Sequence, residues 1–246
     1  MDTLRRERPN AVVLGQSFFL FPYPLREIAE EAHAHDALVF YDASHVLGLI
    51  AGGGFQDPIR EGADVLYGST HKSFFGPQGG LLATDRKDLF EQIDGAVTWR
   101  LFDNAHWNRI AALGQTLLEF ERVGAQYAST VVANSKALGR ALARRDVPLL
   151  AESEGFTESH QLLIDRAELR RRHGVGSAAF ARRLESQRLL LDLVGRVGTA
   201  EITRWGLMPD QMERMADLLV RGGLEGEHIA PEVLRWRREF RQLRFA

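Results

Sequence analysis

Four short apolar runs, Ala11–Gly15, Ala37–Tyr41, Ala63–Tyr67 and Gly79–Thr84, dominate the first third of the chain. They are continuous rather than alternating, and helix-sized polar segments such as Pro24–Ala34 separate them. Continuous apolar runs spaced this way suit strands buried on both faces of a mostly parallel sheet, with the intervening segments crossing as helices. The runs end on small or polar residues: Gly15 after the first, Asp42 after the second and Gly68-Ser-Thr-His-Lys72 after the third. The carboxyl ends of such strands are where α/β sheets bind ligands.

The pattern turns helical from Trp107 to Ala128, with Ile110, Leu113, Leu117 and Phe120 spaced for one face. Beyond it, Arg-rich amphipathic helices are expected over Ser135–Arg145, Ser177–Gln187, Pro209–Arg221 and Pro231–Leu243, with short strands near His160–Ile164 and Leu190–Val197. The expected organisation is a large α/β domain over 1–115, a connecting helix over 116–134 and a small α+β domain over 135–246. A 45 % hydrophobic content in 246 residues is enough for real cores. The absence of cysteine excludes disulfides, thiolate catalysis and zinc–thiolate sites. A net charge of −2 gives no push toward nucleic acid, and no apolar run is long enough to span a bilayer. The expectation is a cytoplasmic protein with no nucleic-acid or membrane partner.

Only three of the 31 basic residues are lysines: Lys72, Lys87 and Lys136. A desolvated lysine loses its proton near neutral pH, whereas an arginine does not. Lys72 follows a buried strand, is flanked by Ser69, Thr70 and Ser73, and precedes a Gly76-Pro77 turn. This setting suits an amine that forms a Schiff base with an aldehyde cofactor, with the hydroxyls holding cofactor oxygens. Alone, a lysine in a polar loop is the commoner meaning. Asp42, thirty positions earlier at the end of another strand, narrows the choice. A carboxylate there keeps a pyridine nitrogen protonated and the ring an electron sink, although turn aspartates are common at strand ends. The pair points to pyridoxal phosphate.

Tyr41-Asp-Ala-Ser-His-Val-Leu-Gly-Leu-Ile-Ala51, Ala63-Asp-Val65, Ser69-Thr-His-Lys72 and Gly76-Pro-Gln-Gly-Gly80 together closely resemble the serine hydroxymethyltransferases, which are fold type I pyridoxal-phosphate enzymes. Gly195-Arg-Val-Gly-Thr-Ala-Glu-Ile-Thr-Arg-Trp-Gly206 resembles that family's substrate-carboxylate segment. The resemblance implies a partial large domain of the pyridoxal-phosphate transferases followed by the small domain. It implies Lys72 as the Schiff-base lysine with His71 beside it, and Asp42 on the pyridine nitrogen. His45 and Ser17 would contact the ring or its phenolic oxygen, Ser69 would hold the cofactor, and Arg196 would hold the α-carboxylate of a small amino-acid substrate.

The chain also departs from the family. The part carrying much of the phosphate loop, the residue stacked on the cofactor and a catalytic glutamate has no counterpart before Val12. Unpaired strand edges and exposed apolar faces are therefore expected, to be covered by a subunit in a homodimer or by a complementing N-terminal chain. The family's glycine-rich loop is replaced by Leu101–Trp107, and its Gly-Pro turn arginine by Gln78. The short Glu185–Gly195 segment lacks the asparagine loop that helps bind folate, which weakens tetrahydrofolate as a cofactor. Three readings stay open. One is a serine/glycine hydroxymethyltransferase acting on the Cα–Cβ bond of β-hydroxy amino acids, another a folate-independent threonine aldolase or transaldolase, and the third an inactive fragment or one subunit of a split enzyme.

Overall fold

The structure, a computed structural model, describes residues 2–102 and 104–246; Asp103, within the Leu101–Trp107 loop, lies outside the described residues. The chain divides into two compact units, Met1–Ala125 and Gln126–Ala246.

The first unit carries α1 (Asp2–Glu7), β1 (Ala11–Leu14), α2 (Leu25–His33), β2 (Leu38–Asp42), α3 (Leu47–Ala51), β3 (Val65–Ser69), β4 (Gly80–Ala83) and α4 (Lys87–Ala96). The four strands form one sheet in the order β1-β2-β3-β4; the first three are parallel and β4 runs antiparallel to β3. An α/β unit with a mostly parallel sheet is thus what the apolar runs indicated. Burial differs from the expectation at the sheet's margins. The inner strands bury Val39, Tyr41, Val65 and Leu66, whereas Val13 on β1 is 64 % exposed and Leu82 on β4 is 48 % exposed. Each outer strand pairs on one side alone among the described residues, and these apolar side chains are not covered by a layer on their face as continuous burial requires.

α2 packs Leu25, Ala29 and Ala32 inward, a spacing that puts all three on one helix face. Asp64, 6 % exposed just before β3, ties the layers together. Its Oδ2 accepts from Val39 N at 2.7 Å and lies 2.9 Å from His33 Nε2 on α2, and its Oδ1 accepts from Arg86 Nη1 at 2.9 Å. Burial pushes this carboxyl up, but the Val39 N–H and the His33 and Arg86 side chains outweigh it, and its pKa lies below the ordinary aspartate value.

α5 (Trp107–Ala143) begins in the first unit and ends in the second. It absorbs the separate helix expected over Ser135–Arg145. No glycine or proline interrupts Ser129–Asn134, and Val131 is fully buried, so packing overrides the poor helix propensity of the β-branched residues there. The second unit continues with β5 (Gln161–Leu163), α6 (Arg166–His173), α7 (Ser177–Ser186), β6 (Arg196–Gly198), α8 (Ala200–Arg204), α9 (Met212–Val220) and α10 (Ala230–Arg237). β5 and β6 pair antiparallel. Leu138, Leu142, Phe156, Leu162, Phe180, Leu184, Met212, Leu218 and Trp236 share one core. This is the α+β unit the second half indicated. The strand expected over Leu190–Val197 is shorter than that, because Asp192 Oδ1 accepts from Val194 N and Arg196 N, both at 3.0 Å, and folds residues 192–196 into a turn.

Replacing Asp64 with Asn removes a charge that three donors surround. Because its folded pKa is depressed, its contribution is present above the unfolded value and lost as pH falls through the folded one. Urea denaturation is expected to show Asp64→Asn less stable by about 2–4 kcal/mol at neutral pH. The gap should narrow as pH falls below about 4.

Candidate active site

The carboxyl ends of β1, β2 and β3 lie side by side, since Leu14 pairs with Tyr41 and Asp42 with Tyr67. This places Gly15, Asp42 and Ser69 on one rim of the sheet. Asp42 is half-buried, and its Oδ1 accepts from Ser44 N at 2.8 Å, which starts a turn directly off β2. Its charge is felt by Tyr67, whose phenol is pushed up first by burial and then by the Asp42 carboxylate. Gly15, at φ +143°, packs against the backbone and Cβ of Asp42: a Cβ there would come within 2.4 Å of Asp42 Cβ and 2.7 Å of Asp42 O. Only a glycine fits between the two strand ends.

The turn after Asp42 carries His45, and the loop after β3 carries His71 and Lys72. Lys72 Nζ and His45 Nε2 are 3.5 Å apart. Ser73 clamps the two loops, donating through Oγ to His45 O at 2.7 Å and accepting from Gly48 N at 3.1 Å. Gly48 makes the approach feasible, since a Cβ there would lie 2.1 Å from Ser73 O. Ser69 N donates to Ser44 Oγ at 3.2 Å, a further tie between the loops.

Three residues differ from the sequence reading. Thr70 and Ser73 are 1 % and 2 % exposed. Thr70 Oγ1 donates to Pro77 O, closing the Gly-Pro turn, and Ser73 serves as the clamp, so both hydroxyls act within the fold rather than toward a ligand. Lys72 was expected to be desolvated at a buried strand's end; it lies in the loop three residues past β3 and is exposed, as is His71. Ser17, on the loop leaving β1, is exposed as well. Gln78 and Thr70 line a cavity of about 420 Å³ with Val97, Phe102, His106 and Arg109. Among the described residues, no group of three or more His, Cys, Asp or Glu is arranged to hold a metal ion.

Arg196 belongs to the second unit, where it opens β6. The Gly-Thr that follows its neighbour Val197 is structural. Thr199 is fully buried; its Oγ1 lies 2.7 Å from Ser135 Oγ and donates to Val131 O at 3.1 Å, and its N donates to His160 O at 3.0 Å. Thr203 Oγ1 donates to Thr199 O and accepts from Asn134 Nδ2. This network holds the segment that carries Arg196 against α5 and β5. The sequence reading singled out Arg196 but not Asp192, whose Oδ2 lies 2.7 Å from Arg196 Nε. The i, i+4 spacing of opposite charges was the available signal.

The profile of the serine hydroxymethyltransferase family matches residues 2–219. The chain is 44 % identical to a serine hydroxymethyltransferase of Methanopyrus kandleri over 255 residues, covering 96 % of this chain and 58 % of that one. It is 42 % identical to the serine hydroxymethyltransferase of Methanobrevibacter smithii, covering 92 % of this chain and 56 % of the relative. Among solved structures, L-threonine transaldolase from Pseudomonas fluorescens in its internal aldimine state superposes with a TM-score of 0.83 at 28 % identity, covering 97 % of this chain and 56 % of that one. The chain therefore spans somewhat less than three fifths of the length of these relatives.

The tight approach at Gly15 gives a direct check. Gly15→Ala is expected to destabilise the protein by about 2–3 kcal/mol, through backbone strain and overlap with Asp42. Chemical denaturation measures it, and a stability equal to the parent's would remove the close approach.

Proposed function

The chain belongs to the serine hydroxymethyltransferase family, and on that premise we propose that it supplies the amine, the ring carboxylate and the substrate-carboxylate receptor of a pyridoxal-phosphate enzyme. The proposed reaction makes or breaks the Cα–Cβ bond of β-hydroxy amino acids, of the serine/glycine type. The observation that carries the reading is the single rim formed by three parallel strand ends, where Asp42, Ser69 and the 3.5 Å pair of Lys72 and His45 converge. The rim fits the cofactor: the Asp42 carboxylate is half-buried at the strand end and accepts a single hydrogen bond among the described residues, from Ser44 N.

When bound, pyridoxal phosphate supplies an aldehyde that condenses with amines and a ring that draws electrons from Cα. Lys72 offers the amine, and the imidazole of His45 beside it receives or returns its proton. Asp42 holds a proton on the ring nitrogen by its negative charge. Ser17 and Ser69 provide hydroxyls at the ends of β1 and β3, and His71 flanks the amine. Arg196 holds the α-carboxylate of a small amino acid, for which a planar guanidinium is better suited than a lysine.

A partner polypeptide completes this site in the proposal. The Lys72 amine is exposed, and the first unit exposes Trp99, Leu101, Phe102 and Trp107, at 85 %, 72 %, 61 % and 76 %. An apolar surface of this kind marks an interface. The residues that would cover it belong to a second copy or to polypeptide matching the remaining two fifths of the relatives' length. A folate-independent aldolase or transaldolase is the second reading, favoured by the superposition on L-threonine transaldolase and by the short Glu185–Gly195 segment; tetrahydrofolate is the cofactor that separates the two.

Borohydride reduction in the presence of pyridoxal phosphate is expected to fix the label on Lys72, and Lys72→Ala to abolish it. Labelling at Lys87 or Lys136 would sink the proposal. Asp42→Asn is expected to keep cofactor binding while lowering turnover by about a hundredfold or more. Serine and threonine, each with and without tetrahydrofolate, decide between the two readings by the glycine and aldehyde released.

A further inference from the structure

Lys72 has an exposed side chain on a backbone that is held on both sides. Before it, Thr70 is 1 % exposed and its O accepts from Gly76 N at 2.7 Å. After it, Ser73 and Phe74 are both 2 % exposed, and Phe74 stacks on Phe120 with ring centroids 4.5 Å apart. Lys72 O itself accepts from Phe75 N at 2.9 Å. The Ser73 hydroxyl then reaches across to the turn after β2 as donor and as acceptor, to His45 O at 2.7 Å and from Gly48 N at 3.1 Å. A Cβ on Gly48 would lie 2.1 Å from Ser73 O, so the two segments touch backbone to backbone. One hydroxyl therefore ties together the backbones from which Lys72 Nζ and His45 Nε2 approach to 3.5 Å.

We infer that Ser73 is a positioning residue that presents the His45 imidazole to the Lys72 amine, an inference that rests on the roles proposed above for those two residues. When an amine condenses with an aldehyde, a C–N bond forms, the C–O bond breaks, and the two amine protons leave with the oxygen as water. His45 Nε2 carries these protons from nitrogen to oxygen. The lysine stem keeps its rotamers, and tying the two backbones raises the share of them that place the amine within reach of the imidazole.

Acetic anhydride reports this pairing without cofactor, and the exposed Lys87 is the reference within the same molecule. Mass spectrometry gives the ratio of Lys72 to Lys87 acetylation, taken on variants whose circular dichroism matches the parent's. Ser73→Ala is expected to lower the ratio about fivefold. His45→Gln is expected to lower it at least as far, and the double variant to go no lower than His45→Gln alone. Independent effects add, whereas a residue that acts through another shows this non-additivity. Gly48→Ala, which keeps the hydroxyl but forces the segments apart, is expected to lower the ratio as well. A second readout uses the unaltered chain: a nuclear Overhauser contact between the Lys72 methylene beside the amine and the His45 ring proton between its two nitrogens. An unchanged ratio in folded Ser73→Ala, additive losses in the double variant, or no such contact in the unaltered chain overturns the role of Ser73. The borohydride label judges the reading of Lys72 separately: if Lys72 stays unlabelled that reading fails, while the acetylation cycle still measures the coupling.

Discussion

The Ser73 hydroxyl joins two loops that the sheet alone would leave independent. By donating to the His45 carbonyl and accepting from Gly48 N, it locks the turn after β2 onto the loop after β3. Lys72 is its immediate neighbour in sequence, so the 3.5 Å separation of Lys72 and His45 follows from this buried clamp. The surface position of the lysine is thereby compatible with a defined geometry. The clamp fixes the backbone from which Lys72 extends, while the flexible four-carbon stem keeps its own rotamers.

The second unit follows the same rule. Arg196 is only half-buried, but the residue three positions on, Thr199, is sealed in a network of hydroxyls and carbonyls from α5 and β5. In both units the side chain proposed for chemistry is exposed or partly so, and a buried hydroxyl a few residues away fixes its backbone. Such an arrangement separates the demands of reactivity from those of stability.

In this chain the margins of the sheet are less buried than its centre. β1 and β4 carry apolar side chains that its own helices leave exposed, and the relatives that match it are longer by the equivalent of several such elements. A sheet whose two outer strands pair on one side alone among the described residues, with partly apolar side chains, is a template for further pairing. The chemistry proposed for the rim and the covering of these edges are for that reason parts of one problem.

Much of the fold was legible in the chain. The apolar runs located all four strands of the first unit, and polar residues at their ends marked the rim, because strand burial and strand-end chemistry are local properties of sequence. Lys72, Asp42 and Arg196 were singled out by residue type and motif, and the roles given to them are proposals. The fate of the hydroxyls was not: Ser69, Thr70 and Ser73 look equivalent in sequence, yet Thr70 and Ser73 bond to carbonyls 7 and 28 positions away. The exposure of Lys72, the merging of two expected helices into α5, and the hold of Asp192 on Arg196 were likewise decided by packing. Sequence determines which groups are available and where strands begin and end; which donor meets which acceptor depends on parts of the chain brought together only when the cores form.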